Sequence, residues 1–348
     1  MRRLALALAL ALTAATVRAQ SSPEATAAFG SEQAAVRLTV LGTTDVAPVT
    51  PLFEAFVAAV PQVAISYEQR GSNDLYAVAS AACRGEAPPA DLVVSSAVDL
   101  QVKFVNDGCA QPHHSVPAAA LPPDANWRDE LFGITEEPAV IVYNRDLVPA
   151  SEAPRSRFDL IDLLRPADSR YAGRVATYDI EASGLGYLFA FADSQQATTF
   201  GSLIEAFARS GAIATCCSAE IIDGVAEGRY LIAYNVLGSY ALDRASVDRR
   251  VAVVAPGDYT LVLRRAALIP NGAANPTAAG LLIDFMLSDA GRAALAAAHL
   301  LLPFGEGLPD DEDFLYRPIP LSPTLLLGLD QQKRASVLAR WRATFAPP

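Results

Sequence analysis

The chain is short of the residues that most often carry catalysis. It has three histidines: His113 and His114 stand together in a Pro-rich stretch, and His299 follows a long Ala/Leu run. There is no G-x-S-x-G elbow and no H-E-x-x-H, so neither a serine-hydrolase turn nor a helical zinc site is written into the chain. No G-x-x-x-x-G-K-[ST] or G-x-G-x-x-G occurs; Gly184-Leu185-Gly186 stops short of the second. Asp179 and Glu181 are two apart and would share one face of a strand, but paired carboxylates in a loop are more often solvated or ligand-contacting than acid–base catalysts. These absences argue for a protein that is not an enzyme and needs no cofactor. Lysine is also scarce, Lys103 and Lys333 being the two present, which reads as a coding bias and not as chemistry.

The four cysteines, Cys83, Cys109, Cys216 and Cys217, lack C-x-x-C spacing, so no zinc or redox motif is supported. Cys83 and Cys109 fall where they could pair. For the adjacent Cys216 and Cys217, two buried thiols are the safer expectation, because a bond between neighbours strains the peptide joining them. No apolar run after residue 19 is long enough to span a bilayer: Leu281 to Leu287 is interrupted by Asp284. The N-terminus reads Arg2-Arg3, then apolar Leu4 to Ala15, then Val17-Arg18-Ala19, the layout of a secretory signal peptide cut after Ala19. The competing reading, a membrane anchor, would need roughly 18–20 apolar residues. Export would permit disulfides.

The formal charge is −11, and −14 once Arg2, Arg3 and Arg18 leave with residues 1–19. So acidic a chain is a poor non-specific partner for nucleic acid or anionic membrane. It does not exclude an anionic ligand, because the local field of a cleft decides that. Apolar residues make up 52% of the chain, enough for one large or two ordinary cores.

A repeating order of strand, polar turn and helix follows. Residues 20–35 read as a disordered start. Arg37 to Leu41 is strand-like, Gly42-Thr43-Thr44-Asp45 a turn, and Val49, Leu52, Phe53 and Phe56 give a helical period. Val63 to Tyr67, Arg70 to Asp74 and Leu75 to Cys83 repeat the unit. So do Asp91 to Val94, Ser95-Ser96 and Val98 to Asn106. Alternation at this spacing predicts an α/β fold with parallel sheets. Further strands are predicted over 139–144, 174–178, 229–235, 251–254 and 260–269, with a long helix over 276–298 whose Gly291 weakens it. Asp310 to Asp313 is an acidic run and Gln331 to Phe345 a surface helix; there is no internal repeat.

Each turn places hydroxyl or amide side chains at a helix start. Simple capping explains any one of them. Together they collect where open α/β sheets bind ligands, outside the carboxyl ends of the strands. The candidates are Thr43, Thr44, Ser72, Asn73, Ser95, Ser96, Ser183 and Gly184. Thr135 and Glu137 precede the strand over 139–144, where a carboxylate could accept hydroxyls or cap a turn. One of Arg264 and Arg265 would face a cleft and the other point away, since strand neighbours alternate; both could equally lie on the surface.

Several segments carry a family resemblance: Leu38 to Asp45 with Pro51 to Phe56, Ala90 to Ser96, Glu137 to Asn144, Tyr234 to Tyr240, and Ala267 to Gly272. In order and spacing the chain resembles bacterial periplasmic solute-binding proteins of ABC transporters, in the branch of iron(III) carriers, hexose-phosphate carriers and the phosphoglycerate transport regulatory protein. The resemblance implies a type 2 two-lobed α/β fold with two strand crossings, near 140–144 and 262–267. Lobe one would be 37–142 plus 266–308, lobe two 143–265, and 309–348 a C-terminal tail. It implies a periplasmic monomer that traps a small solute between its lobes and presents it to an inner-membrane permease, or reports it to a sensor kinase. It adds Asn235 and Tyr240 to the candidates. The iron(III) members use two adjacent Tyr phenolates. Here Ser239 stands where one of them would be, which turns the expectation from ferric ion to a small anion, an organophosphate or a carboxylate, held by helix starts. No metal site is expected.

Overall fold

The computed structural model describes residues 22–196, 199–301 and 315–345. The signal-peptide reading, Ala19 with it, and the acidic run Asp310–Asp313 lie outside the described residues.

Two sheets organise the chain. In the first, the strands Val36–Gly42, Val63–Gln69 and Leu92–Ser95 run parallel, as the strand–turn–helix repeat predicts. Ala266–Pro270 joins them antiparallel beside Leu92–Ser95, and the short strands Leu131–Gly133 and Asn126–Trp127 complete that edge. Helices Val46–Ala59 and Ser72–Cys83 return between the parallel strands. Val49, Leu52, Phe53 and Phe56 form the buried stripe of the first of them, with Phe53 against Phe29 and Tyr67, ring centroids 5.3 Å apart in both cases.

The second sheet is built around Glu137–Asn144, which pairs antiparallel with Ile232–Leu237, Val251–Val254 and Thr260–Leu263. Val175–Tyr178 and Ile213–Thr215 extend it in parallel. The chain passes from the first sheet to the second at 134–136 and returns at 264–265. A bulge between Ala233 and Val236 puts Asn235 at φ 63°, a conformation Asn tolerates better than most residues.

Four features differ from the sequence reading. Residues 25–29 are not disordered: they form a strand antiparallel to Val63–Gln69 at the sheet's edge. The run 260–269 is two strands, Thr260–Leu263 and Ala266–Pro270, one in each sheet. The long helix divides into Pro276–Leu287 and Asp289–Ala297, because the Ser288 side chain caps the second piece by accepting from the Gly291 N–H at 3.2 Å. Cys216 and Cys217 are joined to each other instead of remaining thiols. The other pair, left open by the sequence, is Cys83–Cys109, with Cα atoms 5.5 Å apart.

Past residue 314, Tyr316–Pro318 adds to the second sheet beside Thr260–Leu263. The segment then reaches across, Leu321 donating its N–H to the Asp124 carbonyl, and ends in helix Gln331–Phe345, anchored by buried Trp341. Among the described residues no helix is long and apolar enough to cross a membrane.

Candidate ligand-binding site

Where the two sheets face each other lies a cavity of about 90 Å³. Glu24, Thr43, Asp45, Arg70, Gly71, Ser72 and Ser96 line it from the first sheet's side. Tyr178, Ala182, Ser183, Leu185, Cys216 to Ala219, Leu237 and Tyr240 line it from the second, and Arg265 sits at the passage between them.

Helix starts from both sides meet here. Asp45, Gly71, Cys217 and Leu237 are the residues before helices Val46–Ala59, Ser72–Cys83, Ser218–Ala226 and Gly238–Val247, and none of the four gives its helix a side-chain cap. Ser96 and Ser183 stand just before two more helices, Val98–Asn106 and Gly184–Gln196. The first N–H groups of a helix have no partner within it and carry partial positive charge.

The two sides also touch. The Gly184 N–H donates to Ser72 Oγ at 2.9 Å, and Asn73 Nδ2 donates to the carbonyls of Glu181 and Ala182 at 3.0 Å each. Gly184 eases this approach, since a Cβ there would stand 3.0 Å from Asn73 Oδ1 and 3.1 Å from Ser72 Oγ and would press on both side chains. The Asp45 N–H donates to the Tyr240 hydroxyl oxygen at 3.1 Å. Burial pushes the Tyr240 phenol up to about 12 and raises Tyr178 as well. It also raises the Asp45 carboxyl, against the pull of Arg265.

Arg265 is buried. Its Nε and Nη2 donate to Glu137 at 2.8 and 3.2 Å, and its Nη1 to Thr44 Oγ1 at 3.0 Å. Burial alone would depress this guanidinium, but Glu137 beside it holds it above its ordinary value. Thr135 Oγ1 donates to Glu137 and accepts from the Arg265 N–H, and Ser239 Oγ donates to the other Glu137 oxygen. Arg264 points the opposite way, to Asp124 and Glu136. Arg70 is paired with Glu68 and Asp74.

Of the twelve residues singled out from sequence, Thr43, Ser72, Ser96, Ser183 and Tyr240 line the cavity together. Asn73 and Gly184 join its two sides. Thr44, Thr135 and Glu137 hold Arg265 behind it. Ser95 Oγ accepts from the Ala97 N–H within its own turn. Asn235 lies away from the cavity, donating to buried Asp193 at 3.0 Å. Asp179 and Glu181 form no pair: Asp179 accepts from the Glu181 N–H, and Glu181 binds Arg342. Sequence reasoning missed Glu24, Asp45, Arg70, Tyr178, Leu185, the 216–219 turn and Leu237. The residues it named at the starts of helices Ser72–Cys83 and Gly184–Gln196 carried the signal; two adjacent cysteines before a helix start were a further signal not used.

A substrate-binding protein of an ABC transporter from Agrobacterium tumefaciens is similar at 34% identity over 93% of this chain and 100% of its own, with a TM-score of 0.85. Iron-bound HitA from Pseudomonas aeruginosa shares the fold at 19% identity, covering 89% of this chain and 99% of its own, TM-score 0.65. AfuA from Actinobacillus pleuropneumoniae, with fructose-6-phosphate bound, does so at 16%, covering 90% and 99%, TM-score 0.67. No curated protein matches the chain. The family model of bacterial extracellular solute-binding proteins matches residues 87–318, two thirds of the chain, and the two-sheet α/β architecture is that of its two-lobed structural neighbours: the chain belongs to this family.

Proposed function

We propose that this protein is the periplasmic solute-binding component of an ABC uptake system and that it captures a small anionic solute, an organophosphate or a carboxylate, in the cavity between two lobes. Each sheet with its helices would form one lobe. The protein would act without catalysis and as a monomer, delivering its solute to a membrane permease.

The observation that carries the reading is the convergence of helix starts on one small cavity, four of them without a cap from the preceding side chain, though at the first of these Gln69 Oε1 accepts from the Val46 N–H at 3.2 Å. Oriented N–H groups of this kind suit an oxyanion. The hydroxyls of Thr43, Ser72, Ser96, Ser183 and Ser218 add donors. Arg70 and Arg265 are each balanced by carboxylates, so affinity would rest on aligned donors and not on excess positive charge.

A ferric ion is the second reading, because two phenols, Tyr178 and Tyr240, reach the same cavity. Against it, burial raises both phenols, which disfavours the phenolates a ferric ion needs, and the helix starts present N–H groups and not acceptor oxygens. Isothermal titration decides. Micromolar or tighter binding of an organophosphate or carboxylate is expected; heat from a ferric salt alone, with a visible phenolate-to-iron absorption band, would reverse the ranking. Partner identity separates transport from sensing: a permease whose ATPase responds to the loaded protein supports the first, a responding membrane kinase the second.

A further inference from the structure

The two sides of the cavity differ in chemistry. The first sheet's side offers charged and hydroxyl groups, Asp45, Arg70, Ser72 and Ser96 among them. The second sheet's side adds carbon and sulfur to the hydroxyls of Tyr178, Ser183, Ser218 and Tyr240: Leu185, Ala219 and Leu237, with the bonded pair Cys216–Cys217 between strand Ile213–Thr215 and helix Ser218–Ala226. Cys216 is half-buried and Cys217 exposed, so the disulfide belongs to the cavity surface and not to the core. A disulfide has no proton to donate, and its sulfurs are polarizable and weak as acceptors. Carbon packs on such a surface better than a charged oxygen does. A bare oxyanion held by the helix starts would leave the sulfurs, Leu185 and Leu237 facing water.

We propose that the Cys216–Cys217 disulfide is a specificity-determining contact: the carbon skeleton of the solute lies on it, so the site takes a short organic phosphate or carboxylate in preference to an inorganic oxyanion. This rests on the anion reading above. The bond also closes a small ring around the 216–217 peptide and so holds the turn that precedes helix Ser218–Ala226. There Ser218 Oγ is hydrogen-bonded to the Tyr178 hydroxyl, and the Cys217 carbonyl accepts from the Ile221 N–H. A dithiol would open the ring by passing two electrons and two protons to the sulfurs, leaving two thiols and itself becoming a disulfide.

The test is calorimetric titration of inorganic phosphate, glycerol 3-phosphate, fructose 6-phosphate, succinate and, as a neutral control, glucose. The proteins are the full exported chain and the double variants Cys216→Ala/Cys217→Ala and Cys216→Ser/Cys217→Ser, each checked for an unchanged melting temperature. If both variants melt early, the exported chain reduced with dithiothreitol replaces them, with Cys83→Ser/Cys109→Ser as the control for the other bond. The best organic anion is expected to bind at least about tenfold tighter than inorganic phosphate. Losing the disulfide should weaken that anion by about tenfold, the scale of one apolar contact in a pocket, and weaken inorganic phosphate clearly less; equal weakening of both would trace the effect to the loosened start of helix Ser218–Ala226 and overturn the contact. An organic anion whose affinity ignores the disulfide overturns this inference and leaves the anion reading standing. Glucose binding more tightly than any anion, and weakened in the variants, overturns the anion reading and keeps the contact. No binding by any probe overturns both.

Discussion

Replacing Glu137 with Gln should destabilise the protein far more than so small a change suggests. Glu137 and Arg265 are both buried, joined at 2.8 and 3.2 Å, and the carboxylate also accepts from Thr135 and Ser239. The amide keeps the shape and one oxygen that can accept from Arg265, but it removes the countercharge and replaces the second acceptor with an NH2 group that has no acceptor to meet on the guanidinium. Breaking a buried pair in this way costs about 3–5 kcal/mol. At about 2–4 °C per kcal/mol for a domain of ordinary size, the melting temperature should fall by roughly 10 °C. Removing both charges, as Glu137→Leu with Arg265→Met, should cost much less than the two single changes together, because no uncompensated charge remains. The assay is urea unfolding followed by tryptophan fluorescence across the double-mutant cycle. A Glu137→Gln variant within about 1 kcal/mol of the parent, or strictly additive changes, would refute the claim that this pair is electrostatically closed.

Asp99 is buried, and burial pushes its carboxyl up to about 7. The folded state then holds a proton that the unfolded chain releases near pH 4, so stability should fall as pH rises from about 4 to about 7 and level off above that. Asp99→Asn should flatten this slope and stabilise the protein at pH 7.5 by on the order of a few kcal/mol, read from unfolding curves at a series of pH values. Gly291→Ala should destabilise by about 2 kcal/mol or more in thermal unfolding, because its Cβ would fall 1.9 Å from the Phe285 carbonyl oxygen, a backbone atom that cannot swing away. Trp341→Ala should cost about 3 kcal/mol through the lost packing on Phe345, whose ring centroid is 4.4 Å away. Trp341→Phe should cost well under half of that, since the indole N–H has no hydrogen-bond partner to lose.

Much of the fold is legible because local and tertiary preferences agree. The apolar strands 36–42, 63–69 and 92–95 each end in a polar turn and run into a helix, and the structure keeps that order. What local pattern does not carry is pairing. The run 260–269 is uniformly strand-like apart from Arg264-Arg265, and nothing local says that one half joins each sheet. The division follows from those two arginines, which find carboxylates on opposite sides, Asp124 and Glu136 for one and Glu137 for the other. Residues 25–29, Ala-Thr-Ala-Ala-Phe, sit in a mostly small and polar stretch without period, which reads as disordered. They become a strand because Val63–Gln69 has a free edge, where the Glu24 N–H also finds the Gln69 carbonyl.

The site divides in the same way. Its first side is readable because a hydroxyl at a helix start is unusual enough to notice, and Thr43, Ser72 and Ser96 do reach the cavity. Its second side is readable at Ser183 and Tyr240, while Leu185, Ala219 and Leu237 look like any core residue until the sheets face each other. Net charge misleads in both directions. At −11 the chain repels anions at long range, while the cavity's two arginines are each neutralised by a carboxylate nearby. An anion drawn to this cavity would be held by the geometry of helix starts, a short-range field that salt screens weakly once the site is enclosed. Affinity for the best anionic probe should therefore change less than about threefold between 0.05 and 0.5 M sodium chloride, whereas a site working by surface charge would lose far more.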